Sequence, residues 1–467
     1  MKYVSTRGRA PPIGFLEALL AGLAPDGGLY VPETWPRLSK REITAFAGRP
    51  YAQVAADILQ RFAGEEIAPK ALICLCAEAY AGFDHAAVVP LRQSTPGEFV
   101  LELFHGPTLA FKDIAMQIMA RLYEHALIGT GRTLTIVCAT SGDTGGAAVE
   151  AFRGRAGLRI VALYPQGRIS EVQRRFMTTA EEANVRAVAV DGDFDACQAM
   201  VKAMFADAAF AREVDLSAAN SINIVRVIAQ CVYYFTAAVA LGGPDLPIRF
   251  AVPTGNFGDA YAGHAAARMG LPIDKIVAAT NANDILARAL ETGLYQRGPV
   301  VATQSPAMDI QVASNFERLY FECVQRDGDE TAAAFEMFDA TGALEVPPRA
   351  LERMREAFTG VAVSETRTTA TMADVLRETG ETLDPHTAVA MAGARQAAAS
   401  SIQAPTVILA TAHAAKFPDA VRAATGAAPA PPALVRERMS MAERFDELPA
   451  DAEVVKAYLR DFVARRP

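Results

Sequence analysis

Lys112 stands in the run Phe104-His105-Gly106-Pro107-Thr108-Leu109-Ala110-Phe111-Lys112-Asp113, between a strand-like stretch and an amphipathic one. A lysine fixed at such a junction projects from a rigid scaffold. Partial desolvation would free its amine for Schiff-base chemistry at a carbonyl carbon. The plain alternative is a solvated lysine at a helix start, so other loops must decide. Val252-Pro253-Thr254-Gly255-Asn256-Phe257-Gly258-Asp259 leads from a strand-like run into an Ala-rich, helix-like one. Its two glycines, with a small hydroxyl and an amide nearby, let backbone N–H groups converge at a helix N-terminus. An anion such as a phosphate ester is favoured there. The loop is neither a dinucleotide fingerprint nor a Walker loop, and glycines serving only the turn are the simpler explanation. A third loop, Ala139-Thr140-Ser141-Gly142-Asp143-Thr144-Gly145-Gly146, offers a donor-rich nest suited to a carboxylate. A fourth, Ala410-Thr411-Ala412-His413-Ala414-Ala415-Lys416-Phe417, follows a β-branched run.

These loops need elements to hold them. Phe99 to Phe104, Thr133 to Cys138, Leu158 to Tyr164, Val185 to Val190, Ile248 to Val252, Lys275 to Thr280 and Thr406 to Ala410 read as strands. Helical patterns lie between them, including Ile114 to Leu127, Gly146 to Gly154 and Ser170 to Ala183. The rhythm predicts an α/β fold with two open, mostly parallel sheets flanked by helices, after a mostly helical segment over residues 1–95. Polar turns at the C-terminal ends of parallel strands are where ligands sit in such sheets. The catalytic region is expected over 96–425, with a smaller α/β subdomain at about 115–215. A C-terminal tail follows over 426–467, beyond the Ala-Pro-rich stretch Ala424 to Pro432.

Composition narrows the function. The chain has 467 residues, 51% of them hydrophobic, and a net charge of −8. That charge disfavours nucleic acid or an anionic membrane as partner, and an anionic substrate must be caught by local groups. Six cysteines, Cys74, Cys76, Cys138, Cys197, Cys231 and Cys323, lie in apolar runs without a C-x-x-C pair. They read as buried small hydrophobes in a reducing compartment, so a cytoplasmic protein is expected. The apolar run Ile222 to Leu241 carries Arg226 and Gln230 and reads as a core helix. No metal site is expected. Asp191-Gly192-Asp193-Phe194-Asp195 opens like a calcium loop, but Ala196 and Lys202 stand where glycine and glutamate are required. It reads as a strand end and a helix cap. His105 reads as a loop organiser.

Together the motifs resemble pyridoxal-phosphate enzymes of the tryptophan-synthase-β type (fold type II), and within them the threonine synthase family. The resemblance rests on H-G-P-T-x-A-F-K-D around Lys112, S-G-D-T-G from Ser141 to Gly145, and G-N-F-G-D from Gly255 to Asp259. Tyr3 to Gly8, Asp26 to Pro32, Leu216 to Asn223 and Thr411 to Phe417 also match in order. Ala414 departs from the proline expected there. The resemblance implies that Lys112, beside Phe111, bears pyridoxal 5′-phosphate. Gly255, Asn256, Phe257 and Gly258 would hold the phosphate of that cofactor, Thr411 would meet the ring nitrogen, and Asp143 would lie beside the phenolic oxygen. The implied substrate is O-phospho-L-homoserine, converted with water to L-threonine and phosphate by γ-elimination and β-addition. Lys112 would carry the Cα proton. Ser141, Gly142 and Thr144 would take the substrate carboxylate. Asn220, Ser221, Asn223 and Arg226 are candidates for its phosphate. A sibling lyase releasing 2-oxobutyrate and ammonia, or a non-catalytic cofactor- or phosphate-binding module, would use the same loops. Monomer and homodimer stay open.

Overall fold

The computed structural model describes residues 1–217, 219–398 and 404–465. The chain divides into two compact units: residues 1–105 with 221–429, and residues 106–220 with 430–467.

The first unit is built on a six-stranded sheet. Its order is Phe358–Ala362, Ile273–Thr280, Ile248–Pro253, Thr406–Ala410, Glu98–Glu102 and Leu91–Thr95. All neighbours are parallel except the last pair, an antiparallel hairpin. Ile248–Pro253 and Thr406–Ala410 are buried at every residue, as continuous apolar runs require when helices cover both faces. One helix, Pro385–Ala398, packs Val389 and Met391 into a cluster with Val277, Ala279 and Ile408. Another, Ile224–Ala240, lies against Gly258–Arg268 and against Tyr51–Ala63 of the N-terminal segment. Its Arg226 and Gln230 are buried with its apolar residues, so it is the core helix expected. No described helix is long and apolar enough to cross a membrane.

The second unit carries five parallel strands in the order Asp446–Pro449, Val185–Asp191, Leu158–Pro165, Leu134–Ala139 and Leu216–Ser217. All eight residues of Leu158–Pro165 are buried. Asp193 accepts the Ala196 N–H at 2.8 Å, so the calcium-like run is a strand end and a cap. The segment read as a tail is structural here. Asp446–Pro449 extends the sheet beside Val185–Asp191, and Val455, Leu459 and Phe462 join the core cluster of Val137, Val161 and Met200. Asp-Glu-Leu-Pro has no strand-like apolar pattern, because an edge strand takes its pairing from a neighbour's backbone. Phe358–Ala362, the opposite edge of the first unit's sheet, likewise lies outside the strands expected from the sequence. Cys74 corrects a second expectation: it lies exposed, on the outer side of helix Pro69–Tyr80, while the other five cysteines are buried.

Candidate active site

Lys112 begins the helix Lys112–Leu127, and a short staple fixes the turn before it. Asp113, fully buried, accepts the Thr108 N–H at 2.8 Å and the Thr108 hydroxyl at 2.6 Å. A Cβ on Gly106 would lie 2.5 Å from Asp113 Cβ, so the motif needs glycine for space. Leu109 takes a positive φ of 58° to close the turn. Asp113 also sits in the first helical turn, where a negative charge complements the dipole. The Lys112 side chain is 12% exposed, and its Nζ lies 3.7 Å from Asp143 Oδ2. It also stands 5.1 Å from the Phe111 ring centroid.

Asp143 opens the helix Asp143–Phe152, directly after Gly142 at φ 130°. Thr140 shapes this turn: its hydroxyl oxygen accepts the N–H groups of Gly142 at 2.9 Å and Gly145 at 2.8 Å. The Gly142 N–H is thus engaged inside the loop. Ser141 and Thr144 are half-buried on the same turn. Gln173, which no motif flagged, donates from Nε2 to Asp143 Oδ1 at 3.0 Å.

In the first unit, Phe257 occupies the left-handed region at φ 62° just before the helix Gly258–Arg268. That conformation costs a non-glycine residue on the order of 1 kcal/mol. It is held because the ring is buried, with centroids 5.1 Å from Phe358 and 6.3 Å from Phe316. A left-handed residue at a helix N-terminus is the backbone arrangement that gathers N–H groups around an anion. A Cβ on Gly255 would meet the Ala307 carbonyl oxygen at 2.9 Å. Asp259 anchors the helix from below by accepting hydroxyls from Tyr233 and Tyr234, and burial pushes its pKa up to about 6.

Asn315 ties this turn to the next candidate loop. Its Nδ2 donates to the Asn256 carbonyl at 3.0 Å and to the Ser221 carbonyl at 3.1 Å. Arg318, fully buried, donates to the Asn315 side-chain oxygen, to the Tyr30 carbonyl and to the Ile222 carbonyl. Burial lowers its pKa to about 10. Asn223 is the clearest departure from expectation. Its Oδ1 accepts the Val225 N–H at 3.0 Å and its Nδ2 donates to the Leu19 carbonyl at 2.8 Å. The amide is fully buried and spent on capping the helix Ile224–Ala240, so it is no open phosphate ligand. Ser221 is half-buried, and Arg226 is buried near the start of that helix. Asn220 is half-buried at the end of the second unit's first segment, and Ala218 lies outside the described residues.

Thr411 is buried immediately after the strand Thr406–Ala410. Beyond it, His413 Nδ1 accepts the Ala415 N–H at 3.0 Å and caps the short turn Ala414–Lys416, which therefore forms without a proline at 414. His105 is the organiser expected. Its ring nitrogens meet Asp84 at 2.7 Å and Glu102 at 2.9 Å. Burial alone would lower its pKa, but hydrogen bonds to the two carboxylates outweigh that and raise it.

A family model described as threonine synthase N terminus matches residues 2–80. One for pyridoxal-phosphate dependent enzymes matches 90–346, and one for the threonine synthase C-terminal region matches 387–459. The threonine synthase of Pseudomonas aeruginosa is 46% identical over 460 residues, covering 98% of each sequence. The chain belongs to the threonine synthase family. The crystal structure of threonine synthase from Brucella melitensis, which holds pyridoxal phosphate, superposes with a TM-score of 0.96 at 49% identity over the whole of both chains. That from yeast gives 0.93 at 36% identity. The fold is therefore the type II arrangement read from the sequence, and pyridoxal 5′-phosphate is the cofactor. The residues fit that group: a shielded primary amine, a left-handed turn opening an 11-residue helix, and a buried hydroxyl at a strand end.

Proposed function

We propose that the chain converts O-phospho-L-homoserine and water to L-threonine and phosphate, with Lys112 as both the cofactor's anchor and the acid–base group. The observation that carries this is the ammonium of Lys112, shielded at a helix start and held beside Asp143. When bound, pyridoxal phosphate supplies an electron sink conjugated to the substrate's Cα. Lys112, once exchanged for the substrate amine, takes the Cα proton and later returns it. The backbone of Gly255 to Gly258, with the Asn256 amide, holds the cofactor's phosphate, and Phe257 keeps that turn in shape. The Thr411 hydroxyl meets the ring nitrogen. A hydroxyl does not hold a proton there as a carboxylate would, which moderates the sink and suits elimination and replacement. Asp143 faces the phenolic oxygen.

Ser141 and Thr144 bind the substrate carboxylate, with Gly142 shaping their turn. Asn220, Ser221 and Arg226 bind the substrate phosphate, and Asn223 positions the start of the helix that carries Arg226. The five buried cysteine thiols support a cytoplasmic setting. The test is the purified protein and its Lys112→Ala variant, assayed for phosphate, threonine and 2-oxobutyrate from phosphohomoserine. Wild type is expected to release phosphate and threonine in equal amounts. The variant should lose turnover and borohydride fixation of the cofactor. An active Lys112→Ala protein would overturn the assignment, and 2-oxobutyrate in place of threonine would make the enzyme the sibling lyase.

A further inference from the structure

Asp143 is bracketed, with Lys112 Nζ 3.7 Å from Oδ2 and Gln173 Nε2 3.0 Å from Oδ1. Gln173 is buried, third in the helix Glu171–Thr178, and its amide has no freedom to turn over. Its oxygen accepts the Ser170 N–H at 3.2 Å while the Ser170 hydroxyl oxygen accepts the Gln173 N–H at 3.2 Å, completing a capping box. Gly142 packs directly on the amide: a Cβ there would lie 2.5 Å from Gln173 Cδ. Flipping the amide would orphan the Ser170 N–H and set two oxygens against each other at Asp143. The amide nitrogen therefore always faces the carboxylate, as a donor.

We propose that Gln173 is a positioning residue that keeps Asp143 ionised and aims its second oxygen at Lys112. The charge on the lysine nitrogen is then governed from the cap of a neighbouring helix. This rests on the reading of Lys112 as the cofactor's anchor and adds the residue that tunes it. Several other charged groups on the helices packed here are engaged elsewhere. Arg174 pairs with Glu443, Arg175 with Glu171, Glu150 with Arg153 and Arg438, and Glu124 with Arg155. Asp113 is held by Thr108.

Gln173→Glu separates positioning from simple capping, because glutamate completes a capping box as well as glutamine does. It replaces the donor with a second carboxylate 3.0 Å from Asp143 Oδ1, and like charges so close hold a proton in common. Two measurements on the full-length protein decide the matter. The first follows the visible absorbance of the bound cofactor against pH. The midpoint in Gln173→Glu is expected to fall by about one unit, since an Asp143 that shares a proton with its new neighbour presents less negative charge to the lysine nitrogen. Gln173→Met should move less in the same direction. Ser170→Ala, which weakens the cap but leaves the amide contact, should stay at the wild-type midpoint.

The second follows thermal unfolding of the cofactor-free protein against pH. The shared proton raises the folded-state pKa of the carboxylate pair. Gln173→Glu should therefore lose stability relative to wild type as pH rises through that value, and Ser170→Ala should not. Wild-type titration and parallel unfolding curves in Gln173→Glu would refute the proposal. Should wild type show no visible band, the Lys112 assignment fails, and the unfolding curves still decide the coupling of Gln173 to Asp143.

Discussion

Gly106→Ala tests whether the staple ahead of Lys112 is a matter of space. The new Cβ would stand 2.5 Å from Asp113 Cβ, 2.6 Å from its Oδ2 and 2.9 Å from its Cγ. Ordinary contact needs roughly 3.5 Å, so Asp113 must retreat by about 1 Å. The two bonds it accepts from Thr108, at 2.8 and 2.6 Å, would then pass beyond hydrogen-bonding length. Each bond to a charged group contributes about 1.5–3 kcal/mol, and losing both in a buried setting costs roughly 3–6 kcal/mol. Urea unfolding of the cofactor-free protein measures this directly. Thr108→Val, which keeps the backbone donor and loses only the hydroxyl, should cost about half as much. It serves as the readout should Gly106→Ala fail to fold. If Gly106→Ala unfolds within about 1 kcal/mol of wild type, the packing argument for the motif's glycine is wrong.

Acid stability gives a second test. Burial lowers the pKa of His264 to about 4 from 6.5, with Arg268 a smaller cause, and neither ring nitrogen has a hydrogen-bond partner among the described residues. A depressed histidine contributes stability above its unfolded pKa and loses it as pH falls through the folded value. The 6.5-to-4 window is therefore worth about 3 kcal/mol. His264→Phe should lose about that much less than wild type between neutral pH and roughly pH 4, and parallel denaturation profiles would contradict this. For the phosphate turn, Gly255→Ala drives a Cβ to 2.9 Å from the Ala307 oxygen. The loop bearing Ala307 resists, since Asp309 accepts from Thr303, Asn281 and Asn283. Pyridoxal phosphate affinity should fall about tenfold, a cost of about 1.4 kcal/mol, by fluorescence titration; unchanged affinity would place the phosphate elsewhere.

The sequence made the strands and the loops after them legible because both patterns are local. Thr406–Ala410 matches its reading residue for residue, and the parallel arrangement follows from the alternation of strands and helices. What stayed hidden depends on contacts between segments distant in the chain. Asn315 and Arg318 carry no motif, yet together they hold the carbonyls of Asn256, Ser221 and Ile222. Asn223 matched a ligand type, and only the position of the Leu19 carbonyl shows that its amide is spent. Gln173 left a faint trace: Ser170 with Gln173 three residues on is a capping-box spacing, but nothing local says the amide also reaches Asp143.

The strand Asp446–Pro449 and the helix Ala452–Ala464 impose an order on biogenesis. The core of the second unit draws on Val455, Leu459 and Phe462, which are made after the whole of the first unit and after every strand of the second. Until then Val185–Asp191 is an open sheet edge above an uncovered apolar face, the kind of surface that recruits other chains. A chain that has not reached Asp446 lacks the strand that pairs with that edge. Shortening the chain before Asp446 would prolong that exposed state indefinitely.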